Sequence, residues 1–130
     1  VLGLKLVKKT VNFDGPHTYH LYYGDATGNP GTILTFFPWN EEGFKGKRGT
    51  GQIAAISFSI PASSFEFWKT RLTKKNIIFS SLSRFNEEVL ILEDHDGFKL
   101  EIVASEEETR LGWKPGNVPE ELPKIKTPTN

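Results

Sequence analysis

Apolar and polar residues alternate over short stretches along much of this chain, the period-2 pattern of strands with one buried face. Leu4 to Val11 sets Leu4 and Leu6 against Lys5 and breaks at Asp14-Gly15-Pro16, a turn signal. His17 to Tyr23, rich in tyrosine, predicts a second strand ending at Gly24-Asp25. Ala26 to Gly31 reads as loop, punctuated by Gly28, Pro30 and Gly31. Thr32 to Phe37 predicts a third strand, stopped by Pro38. Three such strands in succession predict an antiparallel meander. Residues 39–50 are polar, glycine-rich and without periodicity, and read as a linker. Gln52 to Ile60 resumes the alternation, with Ile56, Phe58 and Ile60 on one face and Ile53, Ala55 and Ser57 on the other.

The period then changes. Phe65, Trp68 and Leu72 fall on one stripe of a helix from about Ser64 to Lys75. Ser63 and Glu66 have capping-box spacing at its start, and Asn76 is placed to cap its end in a left-handed conformation. Three more strands follow, Ile77–Phe85, Glu88–Glu93 and Phe98–Ala104, joined at Asn86-Glu87 and Asp94-His95-Asp96-Gly97. The tail from Lys114 to Asn130 carries four prolines and little apolar content, and reads as an arm.

The chain repeats itself. The meander Leu4–Phe37 overlays on Ile77–Val103, but only the second is preceded by a strand and a helix. That opening strand starts at Gly51, about 26 residues before Ile77. The same spacing places the first unit's strand and helix ahead of Val1, with Val1-Leu2-Gly3 as a helix end and Gly3 as its left-handed cap. The expected organisation is an incomplete first βββ module (1–38), a linker (39–50), a complete βαβββ module (51–104) and a proline-rich tail (105–130).

Composition narrows the chemistry. The 130 residues carry 16 Lys+Arg against 16 Asp+Glu, so nothing electrostatic points to nucleic acid or an anionic membrane as partner. Cys is absent, which excludes thiolate nucleophiles and cysteine-based zinc sites. Met is absent too. No apolar run approaches the roughly 20 residues of a membrane span. Gly46-Lys47-Arg48-Gly49-Thr50-Gly51 lacks phosphate-loop spacing and precedes a strand rather than a helix. Ser63 and Ser64 are accounted for by capping, and no G-x-S-x-G occurs.

Paired βαβββ modules are the pattern of the vicinal oxygen chelate superfamily, an α+β fold of curved sheets with helices outside. The runs from Gly3 to Asp14, Tyr19 to Asp25 and Pro30 to Pro38 resemble the glyoxalase-family ring-cleaving dioxygenases. Arg48 to Gln52, Phe67-Trp68 and Glu93-Asp94-x-Asp96-Gly97 continue the resemblance. In that family four modules share one longer chain, and this sequence resembles the N-terminal half without its first strand and helix. The resemblance implies one divalent metal, usually Fe(II), held by two His and one Glu beside open positions for O2 and a hydroquinone or catechol. By resemblance, the first His lies on a strand ahead of Val1, and the other ligands lie in the later modules.

The residues present do not replace that set. The histidine position of the opening strand maps to Ala55, and the carboxylate position of the last strand maps to Glu101, with Thr35 as its first-module counterpart. Lys99, Glu101 and Val103 are expected on the concave face, with Phe98, Leu100 and Ile102 towards the helix. His17 and His20, three apart on the expected strand, point to opposite faces, and His95 sits in a hairpin turn. Asp94-x-Asp96-Gly97 does not follow the calcium-loop pattern. The expectation is therefore no catalytic or metal-ligating residue in this chain, no metal bound by it alone, and Tyr22 and Glu101 as the pocket candidates.

The sequence thus reads as part of a non-haem iron ring-cleaving dioxygenase for small aromatics, inactive as the isolated chain. The alternative is a metal-free binding or assembly module, its cup lined by Tyr19, Tyr22, Phe36 and Phe37. A lactoylglutathione-type isomerase is disfavoured by Ala55 and Thr35. A cytoplasmic location, no nucleic-acid or membrane partner, and a homo-oligomer joined through an open edge of the first sheet complete the expectations.

Overall fold

The structure, a computed structural model, describes residues 1–25, 27–39 and 46–106, and the backbone of 128–129. The first sheet is an antiparallel meander of β1 (Lys5–Val11), β2 (Tyr19–Gly24) and β3 (Leu34–Phe36) in spatial order β1-β2-β3. Its second strand starts two residues later than expected, because His17 lies in a turn. That turn is closed by hydrogen bonds from Asn12 N–H to the Thr18 carbonyl (2.8 Å) and from Thr18 N–H to the Gly15 carbonyl (2.9 Å). The third strand is shorter than expected at both ends. Thr32 is held back in the loop by its hydroxyl donating to the Asn29 carbonyl (2.7 Å). The loop itself folds around Asp25, whose Oδ1 accepts the N–H groups of Thr27 (3.1 Å), Gly28 (2.6 Å) and Asn29 (3.0 Å). Gly3, at φ 81°, has the left-handed conformation expected of it.

The second sheet is built from β4 (Ala55–Pro61), β5 (Phe79–Arg84), β6 (Glu87–Glu93), β7 (Lys99–Ser105) and β8 (Pro128–Thr129), in order β5-β6-β7-β4-β8. β4 and β7 are parallel and all other pairs are antiparallel. A 3-10 turn (Ala62–Ser64) and helix α1 (Phe65–Lys74) leave β4, so the unit is the βαβββ module. The tail departs from the expectation of an arm where it pairs with β4, Pro128 opposite Phe58 and Thr129 opposite Ser57. The rest of the tail, and linker residues 40–45, lie outside the described residues. From residue 46 the linker approaches the β6–β7 turn, where Arg48 donates to the Gly97 carbonyl and stands 3.9 Å from Glu93.

Register explains the core. Ile56, Phe58 and Ile60 lie opposite Leu100, Ile102 and Ala104, and Leu92 and Leu90 pair with Leu100 and Ile102. This face receives Trp68 and Leu72 of α1, with Phe58, Ile60, Leu90, Ile102, Trp68 and Leu72 all fully buried. Leu2, Leu4 and Leu34 of the first unit pack against the same cluster. No helix among the described residues is long and apolar enough to cross a membrane.

The helix ends differ in how well the sequence foretold them. No capping box forms, since Ser64 rather than Ser63 is the N-cap, and it makes no side-chain cap hydrogen bond. Its hydroxyl instead donates back to the Pro61 carbonyl (2.7 Å), because the 3-10 turn brings that group close, and Glu66 pairs with Lys69 (2.9 Å). The C-terminus forms as read. Asn76 has φ 55°, and the N–H groups of Asn76 and Ile77 donate to Thr73 and Leu72 carbonyls, each at 3.0 Å. This is the Schellman arrangement, with Ile77 packed on the core beside Leu72. An alanine at Asn76 retains the left-handed strain without the polar side chain's tolerance for it. Asn76→Ala is expected to lower unfolding free energy in urea by about 1 kcal/mol, and Asn76→Gly by less than about 0.5 kcal/mol.

Candidate functional site

Among the described residues the fold builds two polar or aromatic faces and, between the sheets, an apolar cavity. On the first sheet, alternation and register place Lys8, Tyr22 and Thr35 in one row, with His20 on the same face. The His20 ring stacks on Tyr22 (centroids 4.0 Å apart) and lies against Phe37 (4.1 Å), which continues to Trp39 (6.1 Å). Lys8 Nζ lies 5.7 Å from the Tyr22 ring centre. The Tyr22 hydroxyl and His20 Nδ1 are 2.9 Å apart. With the tyrosine O–H donating, the neutral imidazole carries its proton on Nε2, which is buried and has no partner among the described residues. The face therefore offers stacked rings and a polar edge.

The four aromatic residues of the expected cup do not converge. Tyr22 and Phe37 are on this face, whereas Tyr19 and Phe36 are on the other, because odd separations along a strand change face. Tyr19 instead carries Lys9 Nζ over its ring at 3.6 Å, and Phe36 meets Tyr23 edge-on at 5.5 Å. That other face opens on an apolar cavity of about 470 Å³, lined by Leu21, Tyr23 and Phe36 from one sheet and Ile77, Leu92 and Leu100 from the other. Leu2 and Leu4 also line it, and Glu93 and Asp94 stand at its polar margin.

On the second sheet Glu101 lies on the face away from α1, as the alternation predicts, while Leu100 and Ile102 meet the core. It is buried, at 8 % exposure, and both oxygens are engaged. Arg84 Nη1 donates to Oε1 at 3.3 Å and Nη2 to Oε2 at 2.8 Å. Ser57, directly opposite on β4, donates its hydroxyl to Oε2 at 2.7 Å. The Arg84 hydrogen bonds hold the carboxyl below the ordinary glutamate range. Burial opposes this, and the Ser57 hydrogen bond and the charges of Arg84 and Lys99 reinforce it. Arg84 was not singled out from the sequence. Its partner lies 17 positions away, beyond the intervening strand β6, so no local spacing marks the pair.

The arrangement does not fit a metal ion. Ala55 offers no donor at the start of β4, and the buried Glu101 carboxylate is occupied by a guanidinium and a hydroxyl. Among the described residues no three His, Asp or Glu side chains come together. His17 and His95 lie in separate turns, and His20 is enclosed by aromatic rings. Tyr22 and Glu101 belong to different sheets.

The comparisons agree with this architecture. No family model matches the chain. A Bacillus subtilis protein named as a ring-cleaving dioxygenase, MhqO, is 47% identical over 118 residues, which are 91% of this chain and 38% of that protein. MhqE of the same organism, named likewise, is 44% identical over 118 residues, 91% of this chain and 39% of that protein. A chlorohydroquinone/hydroquinone 1,2-dioxygenase of Sphingobium indicum is 38% identical over 125 residues, 93% of this chain and 39% of that protein. A crystal structure of a Bacillus subtilis protein described as a dioxygenase superposes with a TM-score of 0.86 at 44% identity, covering 98% of this chain and 41% of the other. Over nearly its whole length the chain is thus similar to a segment of proteins named as ring-cleaving dioxygenases, and its α+β architecture is consistent with the vicinal oxygen chelate superfamily. It spans about two fifths of the length of the relatives it matches.

Proposed function

We propose that the chain is a module pair of a ring-cleaving dioxygenase acting on hydroquinone- or catechol-like aromatics. Its first unit is a βββ unit (1–38), joined by a linker (39–50) to a βαβββ module (51–104) and a tail (105–130). The observation that carries the reading is the Tyr22–His20–Phe37 stack in a chain 38% identical to a hydroquinone dioxygenase. The outer face of the stack accepts the flat substrate, and the Tyr22 hydroxyl, held by His20, has a lone pair left to accept from a ring hydroxyl. Glu101 is the second pocket residue and presents its Arg84 partner rather than a free carboxylate. The metal, iron by resemblance, is held by ligands that the described residues of this chain do not include, and no step is assigned to Ala55, Glu101 or the three histidines. The chain works in the cytoplasm as part of a larger assembly.

The isolated chain is then expected to bind iron substoichiometrically and to consume no O2 above background with a substituted hydroquinone. Metal analysis and an oxygen electrode measure both, and tight stoichiometric iron with turnover would overturn the reading. The metal-free binding alternative draws on the apolar cavity. A ligand-dependent rise in Tm without metal, and without any change on substituting Tyr22, would favour it.

A further inference from the structure

Among the described residues the two sheets end in four edge strands, and three are guarded in the ways that prevent a sheet from recruiting another strand. β1 carries Lys5, Lys8 and Lys9, and its register shifts between Leu6 and Lys8. β3 has three residues and is followed at once by Phe37-Pro38. β8 has two residues, the first a proline. β5 has none of these protections. It runs as Phe-Ser-Ser-Leu-Ser-Arg in six unbroken pairs with β6. It contains no lysine, carboxylate, proline or glycine, and its one charge, Arg84, is turned onto Glu101. Apolar surface flanks it, with Leu82 38%, Ile78 91% and Phe85 90% exposed.

We propose that β5 is a strand-pairing surface whose occupant is β5 of a second copy of this chain, antiparallel about a two-fold axis at Leu82. A two-fold perpendicular to the sheet keeps each face on its own side, so a residue on the axis must meet itself. With Leu82 there, Leu82 meets Leu82 of the second copy. Ser81 then lies opposite Ser83 and Ser80 opposite Arg84, while Phe79 faces the β5–β6 turn, where Phe85 has φ 54°. No like charges oppose one another, and the exposed Leu82 gains an apolar neighbour. Centring on Ser81 instead sets Leu82 against Ser80 and Ile78 against Arg84, and centring on Ser83 sets Leu82 against Arg84. The strand is thus self-complementary in one register, which argues for a second copy over an unrelated strand. The seam joins two five-stranded sheets and is small, so association is reversible. This inference does not depend on the dioxygenase reading.

The absence of cysteine makes single-cysteine variants clean reporters. Directly opposed Cα atoms in an antiparallel pair are about 4.5–5.5 Å apart, within reach of a disulfide. Under mild oxidation Leu82→Cys is expected to form covalent dimer at least about tenfold faster than Lys5→Cys on β1. Sedimentation of the unmodified chain should show a concentration-dependent monomer–dimer equilibrium. Leu82→Lys, which sets two ammonium groups face to face, should shift it to monomer. Equal cross-linking rates, faster cross-linking at Lys5→Cys, or an unmodified chain that stays monomeric at every concentration would each overturn the proposal.

Discussion

Trp68→Ala is expected to lower the unfolding free energy by about 3–5 kcal/mol. Trp68 is fully buried against β4, β6 and β7, where Phe58, Leu90 and Ile102 are also fully enclosed. Truncation removes the largest side chain that joins α1 to the sheet, and the strands cannot close over the space. A domain of this size is stabilised by about 5–15 kcal/mol in total, so the variant sits near the threshold of folding. Taking about 4 °C per kcal/mol, Tm should fall by roughly 12–20 °C. Ile53→Ala, at a position 73% exposed, should change unfolding free energy by less than about 0.5 kcal/mol. Equal effects at the two positions would show that α1 is not held by this core.

Acidification should weaken the second sheet through Glu101. Its carboxyl titrates below the ordinary glutamate range, chiefly because Arg84 donates to both oxygens. A depressed carboxyl binds fewer protons folded than unfolded, so its contribution is complete above the unfolded value and is lost as pH falls through the folded one. The window therefore opens near pH 4 and extends downward, at about the usual glutamate range and below. Glu101→Gln keeps the shape, removes the charge, and is expected to lower Tm by a few degrees at neutral pH. The gap to the unmodified chain should then close as the pH falls through that window. Arg84 is partly exposed, which keeps the effect well below that of Trp68→Ala. Thermal melts of both proteins across pH measure it, and a gap that stays constant would remove Glu101 titration as the cause.

Some of this was legible from local pattern. Alternation in Lys99–Ser105 assigned Leu100 and Ile102 to the helix face and Glu101 to the other, and the structure agrees, because side-chain direction along a strand follows from backbone geometry alone. The stripe Phe65, Trp68 and Leu72 marked α1, and Asn76 marked its end. The start of α1 departs from the local pattern, since Ser63 and Glu66 have the right spacing but the 3-10 turn carries the cap to Ser64. Tyr19 and Phe36 share a residue type with Tyr22 and Phe37 but not their parity, so the four do not line one cup.

The amino-acid sequence by itself determined the strand–helix–three-strand order from β4 to β7, the core-facing residues of β4 and β7, and the resemblance to ring-cleaving dioxygenases. Only the tertiary structure decided that Arg84 and Ser57 close on Glu101, that His20 and Tyr22 share a hydrogen bond within an aromatic stack, and that β5 is an unguarded edge. The physical division lies in range. Faces and helix ends are set by neighbours within a turn or two along the chain. Glu101 meets Arg84 across 17 positions and Ser57 across 44, and such partners are chosen by register between strands.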